Sequence, residues 1–464
     1  MLRRTIAACL AGVMAATTPS GVATAQSRPI PTVRDTEIER TLRVYAEPLF
    51  RVAALDPQAV RIIVVNDRAL NAFVAGGQNL FVNTGLLLRT THPGQVIGVF
   101  AHEIGHIAGG HLARLNDAVG QAVLISLLTS VLGIAAIAMA QSSQSREPVP
   151  GMRGTPSPGG TRGTGDIGLN QLLSFTRSQE SQADQAALSF LDSAGLSSRG
   201  LLEFMELLAN QEFLSGARQD PYVRTHPLSR ERVDSIRAHV QRSRYASMSV
   251  PPDWLAAHRR MRAKLQAFLD QPGATLQRFP ATDTSQEARY ARAIAYHRAS
   301  DLPNGLAAID QLLADYPQDP FFHELRGQIL FEHGRVLEAL PSLRRALQLL
   351  PEADLFRIDL AQALLELNDP RLLREAQTLL TEARRTEART ARLWRLSAIA
   401  YGRDGQQGLT AQALAEQAIL EGRVGEALEH ARRAMRLLPN GSPGWLRAQD
   451  VETFALSMRE QLGR

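Results

Sequence analysis

A chain of 464 residues that is 44% hydrophobic and 21% charged is long enough for two or three globular domains and is neither disordered nor fibrous in composition. Its formal net charge of +5 is too weak to indicate a nucleic-acid partner, and none is expected. The basic residues are almost all arginine, and Lys264 is the only lysine.

The first 25 residues have the layout of a secretory signal. Arg3 and Arg4 precede an uncharged, mostly apolar run, and small residues stand just ahead of Gln26. We therefore expect residues 1–25 to be removed and the mature protein to act outside the cytoplasm, in a bacterial periplasm. Cys9 is the only cysteine and would leave with this segment, so no disulfide is predicted.

The residues that follow predict a mixed domain. Apolar residues recur at helical spacing between residues 35 and 49, whereas residues 60–65 and 78–83 have the pattern of short strands. A helix is predicted through residues 95–115, and helical patterns resume at Leu169. We expect an α+β domain over residues 26–250, mainly helical with a small sheet.

The helix at residues 95–115 carries a metal-binding pattern. His102 and His106 are four residues apart, which puts both imidazoles on one helical face within reach of one ion. Glu103 sits beside them, positioned for a water on that ion. Neutral imidazole suits zinc, and catalytic zinc sites leave a position open for water. The pattern is typical of a zinc hydrolase.

A third histidine follows in the same stretch. His111 lies one residue before Leu112, where the elongated three-histidine variant of this pattern needs its third ligand. If the helix continues, the side chain of His111 points about 180° away from that of His102. We therefore expect His111 to be structural or surface-exposed.

The third ligand must come from elsewhere in the chain. Glu180 and Asp184 are again four residues apart on a predicted helix. Glu180 can coordinate the ion, while Asp184 can accept a hydrogen bond from the far nitrogen of a zinc histidine. Without the histidine pair, the two acids would be interpreted as solvated groups on an amphipathic helix.

Residues 118–140 carry no formal charge and are long enough to span a membrane. A single crossing would place His102 and Glu180 on opposite sides of the bilayer, and two crossings need about 40 apolar residues. We expect a helix or hairpin that covers the active-site cleft or makes peripheral contact with a membrane, tethered by the Pro/Gly/Ser-rich residues 142–168. An ordinary buried helix is the alternative.

The second half, residues 251–464, is predicted to be an all-α solenoid. The stretch from Gly334 to Pro351 is echoed by the stretch from Gly422 to Pro439, and turn residues recur every 34 positions at Ser300, Gly334, Asn368 and Gly402. This period is typical of tetratricopeptide repeats, and about four units are expected from residue 286 onward. Such solenoids bind other polypeptides. A helical bundle with a chance repeat is the alternative.

Residues 35–245 resemble the M48 family of zinc metallopeptidases. The motifs that carry the resemblance are, in chain order, Asn71-Ala-Phe73, Gly76-Gly77, Thr84-Gly-Leu-Leu87, Ala101-His-Glu-Ile-Gly-His106, Arg177-x-x-Glu180 with Ala183-Asp184, and Thr225-His226-Pro227 with Arg232. The family usually has a second glutamate where this chain has Gln182, which is not a ligand position.

The resemblance implies a zincin-type domain that holds one zinc ion per chain. His102, His106 and Glu180 would bind the ion and Glu103 would be the general base. The same resemblance allows His226 to be a fourth ligand that keeps the enzyme latent, or an oxyanion donor in an open form; a loop histidine before a helix-starting proline is the alternative.

Substrate is expected to add as a strand along an edge of the small sheet, because a backbone ladder gives affinity with little sequence preference. The residues expected to form this edge are Gln78, Asn79, Leu80, Phe81, Val82 and Asn83.

An export signal ahead of an M48-like domain and repeats behind it resemble the layout of periplasmic quality-control proteases. The resemblance implies an endopeptidase that degrades misfolded or stalled outer-membrane β-barrel precursors and assists their assembly, with the repeats contacting the assembly machinery. The alternative is a chaperone or adaptor in which the repeats do the main work and the zinc site stays closed.

Overall fold

The computed structural model describes residues 31–111, 177–209 and 220–462. The predicted export signal, the uncharged residues 118–140 and the tether at residues 142–168 lie outside these ranges. Within the described residues, none of the helices combines the length and the apolar character needed to cross a bilayer.

One four-stranded sheet lies in the N-terminal half, with the strand order β1-β2-β4-β3. The strands are β1 (Thr32–Val33), β2 (Arg61–Val65), β3 (Ala72–Ala75) and β4 (Asn79–Asn83). β4 runs parallel to β2 and antiparallel to β3. The turn between β3 and β4 contains Gly76 and Gly77 at φ values of 59° and 88°, a region that favours glycine.

The prediction that residues 78–83 form an exposed edge for substrate is wrong. Asn79, Leu80, Phe81, Val82 and Asn83 form β4, which is central and buried along its whole length, and Gln78 lies in the turn before it. β2 and β3 pair with both sides of β4, so its backbone has no free ladder to offer a substrate. Among the described strands, β3 is an outer strand instead.

Seven helices surround this sheet in the described residues up to 242. They are α1 (Thr36–Val52), α2 (Thr84–Arg89), α3 (Pro93–Ala108), α4 (Arg177–Ser193), α5 (Arg199–Ala209), α6 (Pro221–Thr225) and α7 (Arg230–Arg242). Asp35 is the N-cap of α1, and its carboxylate accepts a hydrogen bond from the backbone N–H of Ile38. α3 begins at Pro93, a residue that suits the first helical turn.

Helix α3 is the centre of this domain, because α1, α4 and α5 all pack against it. Two glycines let its neighbours come close. A Cβ atom on Gly98 would lie 2.6 Å from the backbone nitrogen of Leu201 in α5, and one on Gly105 would lie 2.8 Å from the backbone oxygen of Ala183 in α4. Any side chain at these two positions would therefore push α5 or α4 away from α3.

Beyond residue 250, the described chain is entirely helical. The helices are α8 (Pro252–Leu269), α9 (Pro272–Arg278), α10 (Gln286–Arg298), α11 (Leu302–Asp315), α12 (Pro320–Glu332), α13 (Val336–Leu349), α14 (Asp354–Glu366), α15 (Pro370–Glu387), α16 (Ala391–Arg403), α17 (Gln407–Leu420), α18 (Val424–Leu437) and α19 (Pro443–Leu462). From α10 onward each helix packs against the next one in the chain. This arrangement confirms the predicted fold class of a small-sheet α+β domain followed by helical repeats.

The 34-residue period is visible in the turns between paired helices. Ser300, Gly334 and Asn368 all have positive φ, at 58°, 75° and 52°. Gly402, the fourth position of the predicted series, lies inside α16 instead, and the positive φ moves to Gly405 at 73°. The repeats are therefore regular up to residue 368 and shift by three residues in the next unit.

The repeats pack against the peptidase half through α1 and α8. Glu37 on α1 is buried and pairs with Arg260 (Nε, 2.5 Å) and Lys264 (Nζ, 3.1 Å), both on α8. It also accepts a hydrogen bond from the hydroxyl of Tyr290 on α10 at 3.0 Å. Arg260 reaches further and contacts Asp319 at the start of α12. The predicted domain boundary at residue 250 stays a prediction.

Candidate metal centre

Four buried side chains from three places in the chain meet beside α3. His102 and His106 project from α3, Glu180 comes from α4, and His226 follows α6. The two Nε2 atoms of His102 and His106 are 3.1 Å apart. Glu180 places Oε2 3.4 Å from His102 Nε2 and Oε1 3.4 Å from His106 Nε2. Nδ1 of His226 lies 3.3 Å from His102 Nε2 and 3.0 Å from Glu180 Oε1.

These separations suit a tetrahedral ion. Zinc bound at about 2.0 to 2.1 Å by nitrogen and oxygen ligands has neighbouring donors about 3.3 to 3.4 Å apart, close to the distances between the four donors here. All four side chains are almost completely shielded from solvent. A carboxylate oxygen and the unprotonated nitrogen of a neutral imidazole are both acceptors, so they cannot donate hydrogen bonds to one another. A cation bound between them would interact favourably with all four.

Arg232 and Asp184 hold these donors from behind. Asp184 Oδ1 lies 2.9 Å from Nδ1 of His102, the nitrogen that faces away from the donor cluster. Arg232 donates to both oxygens of Asp184, at 2.6 and 2.9 Å, and its Nη1 lies 2.8 Å from Glu180 Oε2. Burial opposes ionisation of Asp184, but the hydrogen bonds from Arg232 and His102 outweigh it and lower the pKa of this carboxyl.

Arg232 also reaches the segment that carries His226. Its Nη1 donates to the backbone oxygen of Pro227 at 2.7 Å. One guanidinium therefore contacts the carboxylate of Glu180, the carboxylate of Asp184 and the residue after His226. In the sequence, Arg232 stood out only as part of the family resemblance. Its position beside Glu180 and Asp184 could be seen only in the fold.

His111 is buried against His106, so of the two expected roles, structural or surface-exposed, the exposed one is wrong. Helix α3 ends at Ala108, and Gly110 has a φ of 63°, which turns the chain back towards the helix. Nδ1 of His111 lies 3.0 Å from Nδ1 of His106, and Nε2 of His111 lies 3.2 Å from Oε1 of Gln182. The two glycines after Ala108 were the available indication that the helix stops there.

Glu103 is next to the donor cluster but is not one of its four members. Its Oε1 lies 3.3 Å from Nε2 of His226, the nitrogen on the other side of that ring. Burial raises the pKa of Glu103, while the imidazoles of His226 and His102 oppose that rise. A carboxylate in this position can take a proton from a neighbouring group and return it.

Tyr222 packs against the ring of His226. The two ring centroids are 4.6 Å apart with an interplanar angle of 29°, and Phe204 from α5 meets the other side of Tyr222 edge-on at 5.1 Å. The hydroxyl of Tyr222 is buried and has no hydrogen-bond partner among the residues that the structure describes. Sequence patterns did not single out this tyrosine, because a lone aromatic residue in a short helix carries no specific indication.

The sheet approaches the site through β3. The backbone N–H of Tyr222 donates to the backbone oxygen of Leu70, just before β3, at 3.3 Å. Helix α3, which carries His102 and His106, contacts β3, and so does helix α6, which precedes His226. The outer strand therefore lies next to the metal centre, whereas the buried β4 lies one strand further away.

Comparison with known families and proteins agrees with this geometry. Residues 33–240 match the model of Peptidase family M48, and residues 290–354 and 330–399 match models of the tetratricopeptide repeat. The beta-barrel assembly-enhancing protease of Escherichia coli (strain K12) is 26% identical over 383 residues, which are 82% of this chain and 75% of that protein.

Two further relatives share the peptidase half or more. The beta-barrel assembly-enhancing protease of Yersinia pestis is 25% identical over 369 residues, 79% of this chain and 72% of that protein. Metalloprotease LoiP of Escherichia coli (strain K12) is 30% identical over 183 residues, 39% of this chain and 64% of that protein. The predicted resemblance is thus confirmed: residues 33–240 form a zinc metalloprotease domain that matches Peptidase family M48, and tetratricopeptide repeats follow it.

Proposed function

We propose that the protein is a periplasmic zinc endopeptidase that degrades misfolded or stalled outer-membrane β-barrel precursors and assists their assembly. The observation that carries the proposal is the meeting of His102, His106 and Glu180 beside the carboxylate of Glu103. The substrate class is supported by the relatives that are named beta-barrel assembly-enhancing proteases, which this chain resembles over both of its halves.

We propose that His102, His106 and Glu180 hold one zinc ion per chain. When bound there, zinc supplies polarisation of a peptide carbonyl and a water that ionises near neutral pH. Asp184 fixes the ring of His102 through its far nitrogen, as carboxylates commonly do for zinc histidines. Arg232 holds Glu180 and Asp184 in place from behind.

Glu103 has the role of general base in this proposal. It accepts a proton from the attacking water and returns it to the nitrogen of the departing amine, so that it ends each cycle as it began. Its buried position beside the donors keeps bulk water from competing for that proton. The residue itself does not need to bind the ion.

His226 is proposed as a latch on the site. Its Nδ1 lies as close to His102 and Glu180 as a fourth ligand would, so the described arrangement keeps no place for a substrate carbonyl. A role as oxyanion donor would require the ring to leave this place. The packing of Tyr222 against His226 and the hydrogen bond from Arg232 to the backbone oxygen of Pro227 support this position of the His226 ring.

Substrate is proposed to add along β3 rather than β4. β3 is paired only with β4 among the described strands and lies next to α3 and α6. An extended polypeptide could pair with the outer side of such a strand through backbone hydrogen bonds, with little dependence on its side chains. This binding mode suits an enzyme whose substrates are unfolded polypeptides without a common sequence.

The repeats are proposed to contact the assembly machinery or the client itself. Location in the periplasm is supported by the predicted signal at residues 1–25 and by the named relatives. Peripheral membrane contact through residues 118–140 stays a prediction.

The experiment that tests the function compares wild type with Glu103→Gln. Metal analysis should find one zinc per chain in both proteins. Only the wild type should cleave an unfolded β-barrel protein, with a loss of about a hundredfold or more in the variant, and a chelator should abolish the cleavage. Glu206→Gln, an exposed carboxylate paired with Arg237, is the matched control and should leave the rate unchanged. Absence of stoichiometric metal, or equal cleavage by Glu103→Gln, would contradict the proposal.

A chaperone or adaptor is the second candidate. The observation that favours it is the closed site, in which His226 takes the fourth donor place. Cells that lack the protein and show envelope defects should be rescued only by the active enzyme if proteolysis is the main function. Full rescue by Glu103→Gln would favour the adaptor.

A further inference from the structure

A cavity of about 670 Å³ lies between the peptidase half and the repeats, apart from the metal centre. Its walls come from the start of α1, from α8, and from the repeat helices α12 and α14. This volume is within the range of cavities that bury a small ligand or a few side chains. Apolar side chains form much of the wall, among them Phe268, Phe331, Leu355 and Ile358.

The positive charges at this cavity are already paired within the protein. Lys264 Nζ lies 2.6 Å from Asp35 and 3.1 Å from Glu37. Arg392 lies 2.7 Å from Asp359, on α14. Both basic side chains are therefore already engaged in ion pairs with neighbouring carboxylates.

Arg34, the third basic side chain in the wall, is paired in the same way. It contacts Glu39 on α1 and Glu387 at the end of α15, each at 2.7 Å.

Glu324 on α12 is the carboxylate that lacks such a partner. It lines the cavity, and it makes no hydrogen bond or ion pair with any residue in the described ranges. Burial raises the pKa of Glu324 to about 8, and Lys264 only partly opposes that rise. Among the described residues this carboxyl therefore has no ion pair or hydrogen bond, and Lys264, whose charge acts on it, is already paired with Asp35 and Glu37.

We propose that the cavity binds an extended polypeptide segment by taking one of its arginine or lysine side chains onto Glu324, with the apolar neighbours of that side chain against Phe331 and Leu355. The combination of a carboxyl group that has no ion pair with apolar walls fits a cation flanked by hydrophobic groups, because a bound cation favours the ionised form of the carboxyl and the walls cover the apolar groups. An acidic segment is excluded by the same carboxylate and by Asp359 and Glu37 around it.

The inference rests on the proposed function only in that the clients are unfolded polypeptides. It adds a second recognition site, remote from the zinc donors, that selects basic segments. Binding at the cavity would keep a client attached to the repeats while another part of the same chain lies on β3.

The test measures binding by fluorescence anisotropy, using the full chain with Glu103→Gln to prevent cleavage. The probes are fluorescein-labelled pentapeptides in which arginine, citrulline or glutamate stands between two valines and two terminal leucines. The arginine peptide should bind, and the neutral citrulline peptide should bind about tenfold or more weakly. The glutamate peptide should not compete with either.

Glu324→Gln should weaken the arginine peptide about tenfold to a hundredfold while leaving the citrulline peptide unchanged, because only the arginine pairs with the carboxylate. Glu332→Gln is the matched control: it lies on the same helix and the same cavity wall but pairs with His297, and its side chain is 49% exposed. Equal loss with both variants, or no loss with Glu324→Gln, overturns the inference.

A second measurement locates the bound peptide without changing Glu324. For this measurement the arginine peptide carries benzoylphenylalanine in place of one terminal leucine, and the residues crosslinked on irradiation are identified by mass spectrometry. Crosslinks should fall on the apolar wall, at Phe331 or Leu355, and excess arginine peptide but not glutamate peptide should suppress them. Crosslinks confined to residues outside this wall overturn the inference. If the arginine peptide binds as expected but the wild-type protein does not cleave a β-barrel protein, the result counts against the proposed function and not against this inference.

Discussion

The guanidinium of Arg232 donates to the backbone oxygen of Pro227 at 2.7 Å, so the residue that follows His226 is tied to the same side chain that holds Glu180 and Asp184. Movement of His226 and the positions of Glu180 and Asp184 are therefore linked through one arginine. A change at Arg232 should affect both.

Arg232→Lys should lower zinc affinity about tenfold to a hundredfold, since a lysine ammonium cannot reproduce the paired contacts with Asp184 and reach Glu180 and Pro227 as well. Competition with a zinc-binding dye measures this. Arg237→Lys on the same helix α7, which alters only exposed ion pairs, should leave the affinity unchanged. Equal affinity in wild type and Arg232→Lys would show that the contacts are dispensable for metal binding.

Gly105→Ala should separate α4 from α3 and thereby move Glu180 away from the two histidines. The new Cβ would lie 2.8 Å from the backbone oxygen of Ala183, and backbone cannot yield as a side chain would. Overpacking costs about 1 to 3 kcal/mol, more than the roughly 1 kcal/mol that alanine gains over glycine in a helix. We expect lower thermal stability and at least tenfold weaker zinc binding.

The control for that substitution is Gly425→Ala in α18. No atom lies within 4 Å of a Cβ built there. The variant should fold normally, with an unchanged or slightly higher melting temperature, and bind zinc as wild type does. If Gly105→Ala behaves in the same way, α3 and α4 have more freedom than their contact indicates.

His226→Ala should raise the rate of proteolysis severalfold while the zinc content stays at one per chain. The three remaining donors are enough for a catalytic zinc site, and removal of the fourth frees a place for substrate. Cleavage of a quenched fluorescent peptide, read together with metal content, measures both quantities. Reduced activity with full zinc content would reject the latch and favour a role as oxyanion donor.

His258 gives a test of pH dependence outside the metal centre. Burial lowers the pKa of His258 to about 4 from its ordinary value of 6.5, while Nε2 lies 3.3 Å from the backbone oxygen of Thr90. Between these two values the unfolded chain binds more protons than the folded chain, so the free energy of unfolding falls as the pH falls. His258 should account for up to about 2 kcal/mol of that fall between pH 6.5 and 4.5.

Urea unfolding of wild type and His258→Gln across this pH range measures the difference. Glutamine can still donate to Thr90 but does not titrate, so the variant should lose less stability on acidification. His323→Gln, which removes a half-exposed histidine, serves as the control. Parallel curves for wild type and His258→Gln would show that this imidazole does not titrate on unfolding.

The residue pairs of the candidate metal site could be predicted to share a helix face because helical geometry is local. A spacing of four residues brings His102 to His106 and Glu180 to Asp184 on one face of any α-helix, whatever packs around it. The period of 34 residues in the turns is local in the same sense, since each helix pair repeats the same contacts with its neighbour. These predictions needed no knowledge of which elements meet in space.

The errors arose where a property depends on distant parts of the chain or on where a helix stops. The short apolar run in residues 79–83 identifies a strand but not its neighbours, and pairing with β2 and β3 made it a central strand. His111 was placed by extending α3 through Gly109 and Gly110, where the helix in fact ends. The contacts of Arg232 with α4 and with the segment after α6 leave no periodic pattern in the sequence.

The buried carboxylate of Glu37 joins helices from both halves of the molecule, because its partners are Arg260 and Lys264 on α8 and Tyr290 on α10. Parting the repeats from α1 would break both ion pairs and the hydrogen bond that Glu37 makes across this contact. The solenoid therefore cannot swing as an independent arm, and heating should melt it together with the peptidase half in one cooperative calorimetric transition.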